Sequence, residues 1–298
     1  MLLSFLNKFR FWNLLSQEAE KNNAMPLEIS LSPDLNKSLT ALKKVLGNST
    51  DVVTREFVIG ANIPKNAAII FYEGLVNNKT VYESIMQPLM LDARMTKIEV
   101  NSLVDIQKSI ISVGEVILIH SMEEIVSRCL SGDTILLVHG FPAALAINTP
   151  GWESRGIQEP PTEAVVRGPR EGFTETLRTN IAMLRRKISN PDLTFDTQII
   201  GSRTYTKICV AYLKEVTNPR LVEEIKRRLK QINTDAILES GYIEEFIEDA
   251  PFSPFSTVAN SEKPDKVSAK ILEGRAAILV DGTPVVLTVP MLFVESFQ

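Results

Sequence analysis

Apolar residues recur along this chain at two spacings, and each change of spacing marks a new element. The strongest helical stretch lies near the middle. Phe173, Leu177, Ile181, Leu184 and Ile188 fall three or four residues apart, and Arg178, Arg185, Arg186 and Lys187 are expected to face away into solvent. Before it, Ser32-Pro33-Asp34 offers an N-cap and a first-turn proline for a helix through Val45 that Gly47 ends. Val52–Ile59 and Ala67–Phe71 read as strands, joined by a turn at 62–66. Thr80–Leu91 reads as a helix that Pro88 bends or ends, and Val100–Ile111 as a weaker one. Glu115–His120, Met122–Leu130 and Thr134–His139 then form strand, helix, strand. Such a crossover predicts parallel strands and a right-handed connection. Ala144–Asn148 is a further short strand.

After the central helix, Leu193–Ile200 and Thr204–Leu213 read as strands, the second rich in Val, Ile and Tyr. Asn218-Pro219 opens a helix through Lys230 with Leu221, Val222, Ile225 and Leu229 on one face. A short strand at Ala236–Leu238, a helix from Tyr242 to Ile247, extended backbone over 251–255 and a helix over Lys266–Leu272 follow. The strands Ala276–Val280 and Val285–Val289 are joined by Asp281-Gly282, a strong hairpin signal. The fold class is therefore α/β: two α/β subdomains joined by a Pro/Gly-rich connector and the central amphipathic helix. No internal repeat is visible by inspection.

The connector, Pro150 to Gly172, carries four prolines and four glycines, which disfavour both helix and strand. Its arginines, Arg155, Arg167 and Arg170, stand among Glu153, Glu159, Glu163 and Glu171. They either clamp a carboxylate ligand or pair with those glutamates to lock the two halves together. These boundaries divide the chain into an amino-terminal helix and mobile segment (1–31), a first subdomain (32–149), the connector (150–172) and a second subdomain (173–298). Residues 1–15 carry Lys8, Arg10, Trp12 and several Phe and Leu on helical faces, which suits either a membrane interface or packing on the protein itself.

Composition narrows the function classes. Hydrophobic residues make up 44% of the 298 and charged residues 23%, as in an ordinary folded protein, and the length favours two domains. A net charge of −4 argues against nucleic acid as a partner. Cys129 and Cys209, one in each half, make no disulfide framework. The longest apolar run, Val285–Val294, is too short to span a membrane. The chain ends at Gln298 directly after Phe297, and something is expected to follow it in the natural protein.

Candidate chemistry is sparse. His120 and His139 end two strands of the crossover and lack a third ligand at metal spacing. His139-Gly140-Phe141-Pro142 is similar to a hydrolase oxyanion loop, but no Gly-x-Ser-x-Gly elbow accompanies it, and Ser202 lacks the pattern. Gly168-Pro169-Arg170-Glu171-Gly172 precedes a helix without matching a phosphate loop or a dinucleotide fingerprint. Glu239, Glu244, Glu245, Glu248 and Asp249 read as a solvated helix face. Neither catalytic residues nor a metal or cofactor site is expected.

Three stretches resemble the A subunits of bacterial spore germinant receptors: the central block with its VRGPREGFTETLRTNI core, Ile237–Asp249 and Ala276–Pro290. Thr134–Trp152 fits the same family more loosely, and the resemblance covers roughly residues 35–298. It implies a non-enzymatic region on the cytosolic side of the spore inner membrane, preceding membrane spans that this chain lacks. The implied partners are B and C subunits, other A subunits through the membrane domain, and a small-molecule germinant. The alternative is a module that binds an amino acid or sugar between its two subdomains.

Overall fold

The computed structural model describes residues 31–47, 49–60, 63–92, 95, 101–151, 163, 168–248, 256–292 and 295. The expected amino-terminal helix, the extended 251–255 segment and Arg155 and Arg167 lie outside the described residues.

The first half opens with α1 (Leu35–Leu46). Its N-cap is Asp34 rather than Ser32, with Asp34 Oδ1 accepting from the Asn36 N–H at 3.0 Å. Two strands follow, β1 (Val52–Ile59) and β2 (Lys65–Tyr72), paired from Val52↔Tyr72 to Ile59↔Lys65. Helix α2 starts as an α turn (Asn78–Thr80) and continues in wider π windings (Val81–Met86 and Pro88–Asp92). Pro88, which has no N–H to give, stands at the start of the second winding. The rest of the half is α3 (Leu103–Ser109), β3 (Val116–Ile119), α4 (Met122–Leu130), β4 (Asp133–Val138) and β5 (Ala144–Asn148).

The sheet order is β1-β2-β4-β5-β3, and every pairing is antiparallel. The expected parallel ladder between β3 and β4 does not form. The two strands do run the same way, but β5 lies between them, with Ala144 opposite both Ile119 and Leu137. A short return after β4 closes a local hairpin with β5, and that loop is entropically cheaper than the longer crossover.

Helices cover both faces of this sheet. Leu35, Leu39, Leu42 and Leu46 of α1 join Met122, Ile125 and Cys129 of α4 over Ala68, Ile70 and Tyr72. On the other face, Ile85 and Leu89 of α2 and Leu103 and Ile106 of α3 pack on Ala67, Ile69 and Phe71. Strand side chains alternate between faces, so a strand covered on both sides reads as an unbroken apolar run. All of β4 is buried.

The second half repeats this plan. It contains α5 (Leu177–Lys187), β6 (Leu193–Ile200), β7 (Thr206–Leu213), α6 (Pro219–Gln231), α7 (Ser240–Ile247), β8 (Ala259–Ser261), α8 (Pro264–Leu272), β9 (Ala276–Val280) and β10 (Val286–Val289). The strand order, β6-β7-β9-β10-β8, matches the first sheet position for position, again with antiparallel pairs throughout. Helices α5 and α8 cover one face, and α6 and α7 the other.

The repeat absent to inspection becomes visible once the sheets are superposed in order. A shift of 142 residues, the separation of Leu35 from Leu177, aligns Leu130 with Leu272, Gly132 with Gly274, and Leu137-Val138 with Leu279-Val280. It also aligns Gly140, Pro142 and Leu145 with Gly282, Pro284 and Leu287. Local contacts recur with it. The Gly140 N–H donates to the Pro33 carbonyl and the Gly282 N–H to the Glu175 carbonyl, each at 2.8 Å.

Two further expectations change. Residues 236–238 are not a strand, because their polar backbone is met by hydroxyls. The Ile237 N–H donates to Thr204 Oγ1 and its carbonyl accepts from Thr206 Oγ1. The third strand of the second sheet is instead β8, an edge strand paired with β10.

Candidate functional site

The two halves meet along one side of α5, where the sequence pattern places solvent. Ile181 and Leu184 are buried as the periodicity requires, but so are Ala182, Met183 and Arg185. This helix is covered twice, by its own sheet and by the turn after β2. Gly74 in that turn has φ +87°, and a Cβ there would stand 2.7 Å from the Cβ of Ala182.

Arg185, expected to be exposed, is 1% exposed. Its Nε and Nη2 donate to Asp51 Oδ2 and Oδ1 at 2.9 and 3.0 Å, a two-pronged pair from the second half to the first. Nη1 donates to the Asn190 carbonyl at 3.0 Å and Nη2 also to Ser49 Oγ at 3.3 Å. The rings of Tyr72 and Phe195, one from each half, lie 4.4 and 5.0 Å from the guanidinium carbon. A charge can be buried only when paired and hydrogen-bonded, and this environment supplies both. Burial pushes the Tyr72 phenol well above its ordinary value, so the ring stays neutral.

The same segment is tied down through its backbone. Phe195 N–H donates to Ser49 Oγ at 2.9 Å, Thr50 N–H donates to the Phe195 carbonyl at 2.9 Å, and Ser49 Oγ donates to Asp51 Oδ1. The Glu73 N–H donates to the Asp51 carbonyl at 2.8 Å, and at the rim Arg178 pairs with the Glu73 carboxylate at 3.0 Å. Two clefts flank this clasp. One of about 420 Å³ lies between the 74–79 turn and α5, and one of about 400 Å³ lies between Asp51, Glu73 and the start of α5.

Of the connector arginines, Arg170 is exposed and immediately precedes Glu171. The two described connector glutamates take partners within the second half. Burial works to raise the Glu163 carboxyl, but hydrogen bonds from Lys266, Ser261 and the Glu262 N–H outweigh it and hold it below the usual range. Glu171 lies 3.4 Å from Lys187 and 3.9 Å from Arg186.

His139 Nδ1 accepts from the Leu35 N–H at 3.5 Å, capping α1, while His120, after β3, is exposed and separated from it by β5. Cys129 and Cys209 are buried in separate cores, and burial pushes the Cys209 thiol up to about 12. Ser202 donates to Asp235. Glu244 is less solvated than expected, since burial first and Glu248 second raise its carboxyl. Among the described residues no group of three metal-binding side chains occurs. The residues that sequence reasoning missed are Ser49, Asp51, Tyr72, Arg185 and Phe195. One signal was present: Arg185 continues the four-residue series of Leu177 and Ile181, so it sits on the apolar stripe rather than opposite it.

The Bacillus/Clostridium GerA spore germination protein family matches residues 40–298. This chain belongs to the GerA family. It is 42% identical over 270 residues to spore germination protein KA of Bacillus subtilis (strain 168), covering 91% of this chain and 49% of that protein. It is 34% identical to spore germination protein GerLA of Bacillus cereus, covering 91% of this chain and 54% of that one. This GerA-family chain thus spans about half the length of such relatives. A crystal structure of the N-terminal domain of the A subunit of the Bacillus megaterium spore germinant receptor GerK3 matches 89% of it, and 97% of that domain, with TM-score 0.70 and 38% identity. No helix among the described residues is long and apolar enough to cross a membrane.

Proposed function

We propose that this chain is the amino-terminal region of a germinant-receptor A subunit and relays nutrient sensing to a membrane assembly. The observation that carries this reading is its likeness, over 89% of its length, to the N-terminal domain of the GerK3 A subunit. In this reading the region is non-enzymatic and lies on the cytosolic side of the spore inner membrane. It acts with B and C subunits and with other A subunits. The signal is carried as a change in the relative placement of the two halves, which the Arg185–Asp51 clasp holds. At least two of Arg155, Arg167 and Arg170 are proposed to bridge to acidic groups across the boundary between the halves.

The test is germination itself. Spores lacking the full-length protein are expected to lose a nutrient response that the wild-type gene restores, with variants compared at matched receptor levels. Arg→Lys at 155, 167 and 170 is expected to restore it less well. Full responses from the deletion strain would end the receptor reading, and full responses from all three substitutions would end the role of the connector.

A second reading, ligand binding between the halves, is favoured by the clefts lined by residues of both.

A further inference from the structure

The cleft of about 420 Å³ differs in charge from the rest of the protein. Its wall from the first half includes Lys79, and its wall from the second half includes Arg178 and Arg186. Among the described residues no aspartate or glutamate lines it, although the chain as a whole carries a net charge of −4. Neutral hydrogen-bonding groups, Asn77, Asn78, Thr176 and Thr179, add to the polar lining. Thr176 caps α5 without using its hydroxyl for the purpose.

The floor is fixed in place. Gly74 presses on Ala182, and a Cβ on Gly151 would stand 2.3 Å from the Cβ of Asn77. Backbone bonds lock the same patch, from the Asn77 N–H to the Thr149 carbonyl at 2.8 Å and from the Gly151 N–H to the Leu75 carbonyl at 3.0 Å. Side chains larger than glycine at 74 or 151 would collide with Ala182 or Asn77 and force this floor to shift. The cavity is therefore pre-formed, and its volume suits a small organic molecule.

We propose that this cleft binds a small oxyanion, a carboxylate or phosphate, held between Lys79 of one half and Arg178 and Arg186 of the other. The proposal rests on the second reading above and supplies its ligand class. Guanidinium groups take carboxylate and phosphate oxygens in pairs, and the ammonium of Lys79 adds a point charge from the facing wall. Arg178 already holds Glu73 at 3.0 Å, and Arg186 lies 3.9 Å from Glu171. A bound anion competes with these two carboxylates and draws both walls to itself. Occupancy of the cleft then favours one placement of the halves, because a ligand shifts an equilibrium by its differential affinity for the two states.

The experiment is calorimetric titration of this chain with inorganic phosphate and with succinate, at ionic strength held constant with chloride. Saturable binding of at least one anion is expected. Lys79→Gln and Arg178→Gln are each expected to weaken it roughly ten-fold, the loss of one charge-assisted contact. Lys44→Gln, on the exposed face of α1, is expected to leave it unchanged. Glu73→Gln removes the competitor and is expected to tighten binding, a gain that loss of structure cannot produce. Circular dichroism checks that each variant is folded, and Lys79, being exposed, keeps the test open if Arg178→Gln unfolds. The proposal is overturned if neither anion binds above the chloride control, or if folded Lys79→Gln binds like the wild type. It is also overturned if only phosphatidylglycerol vesicles bind, with Lys79→Gln having no effect. A germination defect with normal anion titration would leave this site standing and count against the ligand-linked relay alone.

Discussion

The two halves are built to one plan and differ at the contact that joins them. Shifted by 142 residues, α1 and α5 match closely: Leu35, Leu39, Leu42 and Leu46 correspond to Leu177, Ile181, Leu184 and Ile188. Each helix carries the same clasp. Ser38 Oγ accepts from the Ser32 N–H and donates to its carbonyl, and Asn180 does both for Thr174, the equivalent residue. Each helix start is met by the residue after the fourth strand, His139 in one half and Asp281 in the other. Yet exposed Lys43 of α1 corresponds to buried Arg185 of α5. The two surfaces share one pattern and have different surroundings. Lys43 lies exposed on the flank of α1, whereas the first half covers the flank of α5, where Arg185 meets the buried carboxylate of Asp51. A duplicated scaffold becomes asymmetric through one side chain and what lies above it.

The largest test of this comparison is at that pair. Arg185→Met strands the Asp51 carboxylate in a buried site and is expected to cost roughly 3–5 kcal/mol, while Lys43→Met is expected to stay within about 0.5 kcal/mol. Urea midpoints measure both, and equal effects would break the asymmetry. Adding Asp51→Leu to Arg185→Met should recover much of the loss, because the stranded charge is then gone.

Equivalent core positions should behave alike. Leu42 and Leu184 are both fully buried, and Leu→Ala at either is expected to cost roughly 2–5 kcal/mol. A midpoint unaltered at one of them would show that the halves are not packed to the same standard. The helix clasps should differ in proportion to their bonds. Asn180→Ala removes contacts of 2.6, 2.8 and 3.2 Å and is expected to cost about 1–3 kcal/mol, against about 0.5–1.5 kcal/mol for Ser38→Ala. Thermal melts of the two variants, side by side, settle the order.

The smallest effect is also the most distinctive, since its sign reverses between halves. Arg275, equivalent to Asp133, holds Glu295 at 2.7 Å and lowers that carboxyl to about 2. Because the folded value lies below the ordinary 4.5, this contact contributes above the ordinary value and fades as pH falls toward about 2. The stability gap between wild type and Glu295→Gln is therefore expected to close on acidification. The Asp133 carboxyl is raised, by burial first and despite Arg128. Its ionisation works against folding, so that disadvantage grows as pH rises through the folded value. Asp133→Asn should gain on wild type in the direction in which Glu295→Gln loses. Melting curves across pH 2–7 would reveal a common sign if the comparison is wrong.

Much of the scaffold was legible along the chain. Asn218-Pro219 marks the start of α6, and the bounds of β1 and β6 follow from apolar runs between turn residues, because caps, proline and side-chain alternation act over a few residues. The repeat escaped inspection because identities are thinly spread and emerge only once matching strands supply the register. Pairing partners were also out of reach: β5 entering between β3 and β4 is a choice among distant segments, made by loop closure and burial together.

The candidate site was the least legible part. The sequence offered Arg155, Arg167 and Arg170 either to clamp a carboxylate ligand or to lock the halves through glutamates, and Arg155 and Arg167 lie outside the described residues. Among the described residues the junction shows a two-pronged arginine–carboxylate pair at Arg185. By itself the sequence determined most of the helices and strands, that the chain divides into two α/β halves, and which faces are apolar enough to be buried. Only the tertiary structure decided that a basic residue beside that apolar stripe is covered, because burial depends on what another 130 residues upstream bring against it. Asp51 reaches Arg185 across 134 positions, and no local periodicity encodes a partner at that distance.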